Sequence, residues 1–187
     1  VDDDGPAAAA TAAALVAPGE SFYFVGVAPA DIGAWESLGS GRIVQMHWQG
    51  TELPYARPPF DITELGGADR DAMVELTRIA FPGFFRAETP RLGRYVGVLD
   101  RGALVAMAGE RMAWPGFREV SAVCTHPYHV GRGYAAALSL AVMRGILARG
   151  ERPFLHASVG NDRAIRLYER LGFATRLELP LWHLRRA

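Results

Sequence analysis

The chain of 187 residues contains no lysine: all 20 of its basic side chains are arginine. That absence excludes a Schiff-base lysine and the lysine of a Walker-type phosphate loop. A GC-rich coding sequence, which favours Arg, Ala and Gly, accounts for it simply. Only one cysteine is present, Cys124, so an internal disulfide is excluded and a reducing compartment is expected. Acidic and basic residues balance at a net charge of zero, which gives no reason to expect nucleic acid or a membrane surface as a partner. No apolar run approaches the roughly 18–20 residues of a membrane span. The N-terminal "VDDDGPAAAATAAALVAPGE" carries an alanine-rich run preceded by acids rather than bases, which argues against a secretory signal. The expected location is cytoplasmic.

What is present is enough for a sizeable core, since half of the composition is hydrophobic. The length suits one domain or one domain with an appendage. Residues 7–17 read as a helix, and "SFYFVGV" (21–27) and "GRIVQMHW" (41–48) as strands. "QGTELPYARPP" (49–59), with Pro54, Pro58 and Pro59, is the candidate linker. After it, "FDITEL" reads as a short strand. A helix then runs through Ala80, with Asp69 as its N-cap and Met73, Leu76 and Ala80 on one face. "FPGFF" breaks that helix. "RYVGVLD" and "ALVAMAGERMAW" are strands joined at Asp100-Arg101-Gly102, a hairpin signal. "REVSAVCT" is a further strand, followed by a helix from about Gly131 to Ala148. "PFLHASV" is a strand, "DRAIRLYERLG" a helix stopped by Gly172, and "TRLEL" and "LWHLRR" two closing strands. The class is mixed α/β, because a purely parallel doubly wound sheet alternates more strictly.

The stretch "HPYHVGRGYAAAL" (126–138) stands out within this order. A strand that ends in a glycine-rich turn and opens a helix presents backbone N–H groups at a positive dipole end, which suits an anion. Gly131, Gly133, Ala135 and Ala136 are small enough to let one approach. The letters GxGxxA also match a dinucleotide fingerprint. That fingerprint, however, follows the first strand of its domain and needs an acid at the end of the next one. Here about two-thirds of the chain precedes the motif, and Glu151 lies before the next strand.

Taken from Val130 to Ala135, the same letters read as (Q/R)-x-x-G-x-(G/A), the pyrophosphate loop of the GNAT superfamily of acyl-CoA-dependent N-acyltransferases. The chain resembles that family from about Phe60 to its C-terminus. The resemblance is carried by the strand "EVSAVCTHP", the loop "GRGYA" and the segment "NDRAIRLYERLGF" (161–173). That last segment is similar to the family's N-x-x-A-I-x-L-Y-x-x-x-G-F. Val130 departs from the family's usual Gln or Arg, and Arg132 can supply the missing charge.

The resemblance implies a GNAT acyltransferase fold over residues 60–187, a mixed central sheet flanked by helices. Residues 1–50 then form an N-terminal αββ extension that can be a degenerate second lobe. It implies acetyl-CoA as cosubstrate and no metal. The phosphates are expected on the backbone of Val130, Gly131, Arg132, Gly133, Tyr134, Ala135 and Ala136. Val123, Cys124 and Thr125 are expected to pair with the pantetheine arm. Asn161 is expected to bond the pantetheine or to cap the helix that follows, and Tyr168 to face the thioester sulfur.

The chemistry asks for more than binding. A tyrosine is a weaker acid than a thiol, so full proton transfer from an ordinary tyrosine to a leaving thiolate is uphill by about 2 kcal/mol. Tyr168 therefore has a lowered pKa or only hydrogen-bonds the thiolate. A primary amine is mostly protonated at neutral pH and needs a route to its free form. Glu119, where some family members carry a glutamate base, is the first candidate, and Glu110 in "AGERM" the second. A salt bridge to Arg111 or Arg118 is the alternative reading of both. Cys124 and His126 share a strand face, but at i, i+2 their Cβ atoms stand roughly 6.5–7 Å apart, long for a nucleophilic pair. A metal site from Cys124, His126 and His129 has irregular spacing and no evident fourth ligand. "AFPGFFR" (80–86) occupies the acceptor-side loop of the family, so Phe81, Phe84, Phe85 and Arg86 are expected to line the acceptor pocket.

The expected function is transfer of an acetyl group from acetyl-CoA to a primary amine, small-molecule or peptide, by direct attack in a ternary complex. No nucleic-acid or membrane partner is expected, and a homodimer remains open. The alternative from another class is a non-catalytic acyl-CoA-binding or sensor module on the same fold. A toxin-type or ribosome-directed acyltransferase is disfavoured by the neutral charge.

Overall fold

The structure is a computed structural model and describes residues 6–26, 35–54 and 58–187. Val27, placed above at the end of a strand, and the middle of the candidate linker lie outside the described residues. In chain order the elements are α1 (Pro6–Leu15), β1 (Ser21–Val25), β2 (Trp35–Trp48), β3 (Thr63–Leu65), α2 (Arg70–Ala80), β4 (Tyr95–Asp100), β5 (Ala103–Trp114) and β6 (Phe117–Thr125). They continue with α3 (Tyr134–Ala148), β7 (Arg152–Ser158), α4 (Asp162–Arg170) and β8 (Phe173–Arg186). The mixed α/β class and the helix–strand–strand beginning are as the sequence suggests.

The chain divides into two compact units, and the division is not linear. One takes Val1–Gln45, Ala157–Asp162 and Thr175–Ala187; the other takes Met46–His156 and Arg163–Ala174. In the first unit β1 pairs antiparallel with β8, from Ser21↔Arg185 to Val25↔Leu181. The Arg186 guanidinium donates to the carbonyls of Ala13 and Val16, which are orphan acceptors at the end of α1. The two closing strands expected from the sequence are one strand, because Pro180 does not interrupt β8. A proline has no N–H to give a ladder, but the Pro180 carbonyl is used, accepting from the Gly26 N–H at 2.9 Å.

In the second unit the strand order is β7-β6-β5-β4-β3. The β3–β4, β4–β5 and β5–β6 pairings are antiparallel and β6–β7 is parallel. The β4–β5 hairpin is set locally. Arg101 and Gly102 both have positive φ, 52° and 82°, the signature of a type I′ turn whose twist matches its strands. α2 buries Met73, Leu76 and Thr77 on one face and carries the exposed Glu75–Arg78 ion pair on the other. Asp69 does precede α2, but its side chain caps nothing in that helix: the carboxylate accepts from the Gly66 N–H at 2.8 Å.

Alternation along β5 divides this unit into two cores. Met107 points to the α2 side, where it joins Leu65, Met73, Leu76, Tyr95 and Cys124 in one buried cluster. Ala106 and Ala108 point the other way and are fully buried on the side of α3, which packs on β4, β5 and β6. The α2 side has no room to spare at Gly109. A Cβ there would stand 2.2 Å from the ring of Tyr95, which lies across the glycine. We expect Gly109→Ala to displace Tyr95 and cost about 1–3 kcal/mol, as overpacking does. A urea or thermal melt reads this directly, and an unchanged midpoint would mean the ring moves freely.

Candidate active site

The site begins with an irregularity in β6. Met107 pairs with Cys124 and Gly109 with Ser121, so one residue of β5 faces two of β6. This is a β-bulge, and it holds Ala122 at φ 53°, a conformation a non-glycine residue rarely adopts. A second opening accompanies it. The parallel register of β6 with β7 runs from Phe117↔Arg152 to Glu119↔Phe154, whereas β6 continues to Thr125. Past Glu119 the two strands part, and Ser121, Ala122 and Val123 are partly exposed. A bulge and a parting strand together leave an edge of β6 to which an extended chain can add, the ordinary chemistry of β-augmentation. Val123, Cys124 and Thr125 lie on this stretch.

β6 leads into the glycine loop. The His126 N–H is held by the Val105 carbonyl at 2.8 Å, and the His126 ring accepts from the Tyr128 N–H. Gly131 and Gly133 adopt φ of 82° and 81°, and a Cβ at either would meet no protein atom within 4 Å. The space they leave is open, and α3 starts there. Its first main-chain bond is from the Ala137 N–H to the Gly133 carbonyl, so the N–H groups of Tyr134, Ala135 and Ala136 point out of the helix end. Four turns of aligned peptide dipoles add positive potential at the same point. Val130 is 46 % exposed at this loop. Arg132 and Tyr134 border a shallow cavity of about 350 Å³ shared with Phe60, Asp61 and Asp100, and Tyr134 packs edge-on against Phe60. The donor set therefore fits the phosphates and pantetheine of coenzyme A.

Tyr168 projects from α4 and is 7 % exposed. Burial pushes its hydroxyl up to about 12, with a smaller push from Cys124. Burial likewise pushes the Cys124 thiol up to about 12, which works against a thiolate there. Asn161 lies in the turn ahead of α4, where its N–H bonds the Ser158 carbonyl. On the α2 side, Phe81 and Phe85 pack against the cluster that contains Cys124, as Ala122 does. Phe85 meets Tyr95 edge-on, and Phe84 stacks on Phe81. Arg86 is exposed beside them.

The two glutamates lie on opposite faces of the sheet. Glu110 faces α3, where Arg149 donates to it at 2.9 Å and Arg118 stands 3.9 Å away. Glu119 is on the α2 face and is 1 % exposed. Its carboxylate accepts two bonds from Arg111, at 2.7 and 2.8 Å, one from the Met112 N–H and one from the His156 ring at 2.8 Å. Burial alone would raise the Glu119 pKa, but His156 and Arg111 outweigh it and hold the carboxyl below its ordinary value. Sequence reasoning named Arg111 only as a salt-bridge partner and missed His156. The available signal was a histidine inside the otherwise apolar "PFLHASV".

Among the described residues no group of three or more His, Cys, Asp or Glu side chains is placed to hold a metal ion. Among the same residues no helix is long and apolar enough to cross a membrane. A family model described as FR47-like protein matches residues 95–182. A GNAT-family protein from Novosphingobium aromaticivorans, described as an acetyltransferase, is 38 % identical. The match covers 97 % of this chain and 82 % of that one, with a TM-score of 0.85. A GNAT-family acetyltransferase from Colwellia psychrerythraea shares the fold at 12 % identity, over 89 % of this chain and 65 % of that one, with a TM-score of 0.64. The ribosomal-protein-S18-alanine N-acetyltransferase from Escherichia coli shares it at 18 % identity, over 67 % of this chain and 92 % of its own, with a TM-score of 0.57. Among curated proteins none matches. The glycine loop, the opened β6 edge and a sequence likeness that runs through nearly the whole chain lead to one conclusion: this protein belongs to the GNAT family of acetyltransferases.

Proposed function

We propose that the protein transfers the acetyl group of acetyl-CoA to a primary amine by direct attack of the free amine within a ternary complex. The observation that carries this reading is the parting of β6 from β7 beyond Glu119, beside the bulge at Ala122. An extended pantetheine arm fits there as an added strand along Val123, Cys124 and Thr125. Its phosphates fall to the loop from Val130 to Ala136. A backbone N–H of the opened strand is aimed at the thioester oxygen. A preorganised donor of that kind is worth roughly 3 kcal/mol where charge develops on oxygen.

Direct attack is favoured by the burial of Cys124, which raises its thiol pKa and works against the thiolate that an acyl-enzyme route needs. Tyr168 assists departure of the thiolate by donating a hydrogen bond rather than its proton. With its hydroxyl near 12, full transfer to a thiol of ordinary pKa is uphill by about 5 kcal/mol. Phe81, Phe84 and Phe85 with Tyr95 favour an aromatic or apolar amine, and Arg86 can hold a carboxylate on it. Glu110 faces the α3 side, away from these groups, and serves the ion pairs it makes there.

The test is calorimetric titration with acetyl-CoA, followed by thiol release against a panel of amines and amino acids. Binding with release for one amine class supports the transferase. Binding without release for any acceptor favours a non-catalytic acyl-CoA module instead, and absence of binding refutes both. We expect Tyr168→Phe to lower kcat about 10–100-fold, the worth of a hydrogen bond to a charged group. Its affinity for acetyl-CoA should stay unchanged; weakened affinity at full turnover would remove the role.

A further inference from the structure

The pair of Arg111 and Glu119 leaves half of the arginine unused. Glu119 accepts the Nε–H and one Nη2–H of Arg111, at 2.8 and 2.7 Å, which is the side edge of the guanidinium. A guanidinium carries five N–H donors in one plane, so three are left, the second on Nη2 and both on Nη1. One from each nitrogen points the same way. Together they make the end-on fork that meets a carboxylate with two parallel bonds. Among the described residues nothing bonds Nη1, and Nη1 is not one of the buried atoms left without a partner. The Arg111 side chain is 32 % exposed against 1 % for Glu119. The fork therefore meets solvent.

Glu119 also holds the fork in place. Its carboxylate is itself anchored, accepting from the Met112 N–H at 3.2 Å and meeting the His156 ring at 2.8 Å. Burial works to discharge the Arg111 guanidinium, and the bonds to Glu119 outweigh it, so the group stays charged. A long side chain loses rotamer freedom when it is ordered, and here that cost falls on folding rather than on binding.

The fork lies beside the expected acceptor wall. Gly109 and Arg111 are alternate residues of β5 and face the α2 side, where the Tyr95 ring lies across Gly109. Phe85 meets that ring edge-on at 5.8 Å. Burial pushes the Tyr95 hydroxyl up to about 12, and the nearby Arg111 charge works against it. On β6, Glu119 is in the last pair of the ladder with β7, and the partly exposed stretch begins at Ser121, two residues and about 7 Å further on. An α-amino acid, with a contact of about 3 Å at its carboxylate, spans a distance of that order.

We infer that the Arg111 fork binds a carboxylate on the acceptor, which makes the acceptor an α-amino acid with an apolar or aromatic side chain. The inference rests on the acetyltransferase reading above and names the acceptor class of that site. Glu119 and the acceptor carboxylate occupy adjacent edges of one guanidinium and share no donor hydrogen. The Glu119 charge offsets part of the attraction, so Arg111 sets a preference for the carboxylate rather than an absolute need of it.

The test measures thiol release from acetyl-CoA with amino acids and with the same amines lacking the carboxylate: phenylalanine against 2-phenylethylamine, and leucine against isopentylamine. In wild type, kcat/KM should be about 10–100-fold higher for the carboxylate member, the worth of a hydrogen bond to a charged group. Arg111→Lys should lose that preference, because one ammonium can serve Glu119 but offers no planar fork to a second carboxylate. Both members of a pair are read on one preparation, so their ratio does not depend on how much of it is folded. Arg111→Met with Glu119→Leu removes the two buried charges together and should lose the preference as well, while acetyl-CoA affinity holds. A wild type that acetylates amines without preferring the carboxylate member overturns this inference and leaves the transferase reading intact. So does a preference that survives in either variant, which would pass the role to Arg86. An equal loss for both members of a pair makes Arg111 structural and overturns the inference too. A wild type that binds acetyl-CoA and acetylates no amine overturns the transferase reading and this inference with it.

Discussion

Gly133→Val should weaken acetyl-CoA binding by more than about 100-fold, because two or more hydrogen bonds to charged phosphate, at 1.5–3 kcal/mol each, are at stake. Gly133 holds φ at 81° immediately before α3. A branched side chain there disfavours the left-handed conformation by roughly 1–2 kcal/mol, which tilts the loop away from the geometry that aims its N–H groups. The valine methyls would also occupy the open space in front of Tyr134, Ala135 and Ala136, where a phosphate must sit. The fold itself has little against the change, since a Cβ at Gly133 meets no protein atom within 4 Å. Gly116, at the turn between β5 and β6, supplies the control. Its φ is 76° and a Cβ there also meets nothing within 4 Å, so Gly116→Val carries matched backbone strain far along the chain from the loop. Calorimetry should find acetyl-CoA binding lost in Gly133→Val and kept in Gly116→Val. Equal affinities in the two variants would refute the phosphate loop, and equal losses would trace the effect to strain alone.

The parts of this protein that could be read from its sequence are those set by neighbours in the chain. The β4–β5 turn was visible because Arg101-Gly102 need only their own positive φ angles to reverse the strand. The helix expected from about Gly131 starts three residues later, at Tyr134 behind the positive φ of Gly133, and the stop at Gly172 was visible for the same reason. Two closing strands were expected where there is one: the missing N–H of Pro180 does not break β8, since the Gly26 N–H asks that position for a carbonyl alone. The bulge at Ala122 had no signal of its own. Alanine does not favour positive φ, and the conformation is imposed by the pairing of Met107 with Cys124 and Gly109 with Ser121. The cluster around Glu119 was half legible. Glu119 and Arg111, eight apart, could be suspected of pairing across a hairpin, but His156 lies 37 residues further along and arrives only through the parallel pairing of β7. That pairing depends on the α3 crossover, which no short window of sequence contains.

The cluster around Glu119 also sets an expectation for stability. Removing one partner of a buried ion pair costs about 3–5 kcal/mol because the other charge is left without its counter-ion. Glu119→Ala strips Arg111 and the His156 N–H of their acceptor together. The Arg111 side chain is 32 % exposed and can still reach water, so we expect the lower end of that range, near 3 kcal/mol, a large part of the stability of a typical domain. A double change to apolar residues, Arg111→Met with Glu119→Leu, should recover most of the loss, since a well-packed apolar pair often matches a buried ion pair. Acid provides the same test without mutation. The Glu119 pKa is held below its ordinary value of 4.5 in the folded protein. Its stabilisation is therefore present above that value and is lost as pH falls through the lower folded one. In urea melts, wild type should lose stability relative to the double variant as pH drops below about 4.5. Parallel curves for the two proteins down to that range and below would mean that the carboxylate is no better bound folded than unfolded. In that case the four hydrogen bonds to Glu119 would do no more than offset the cost of burying it.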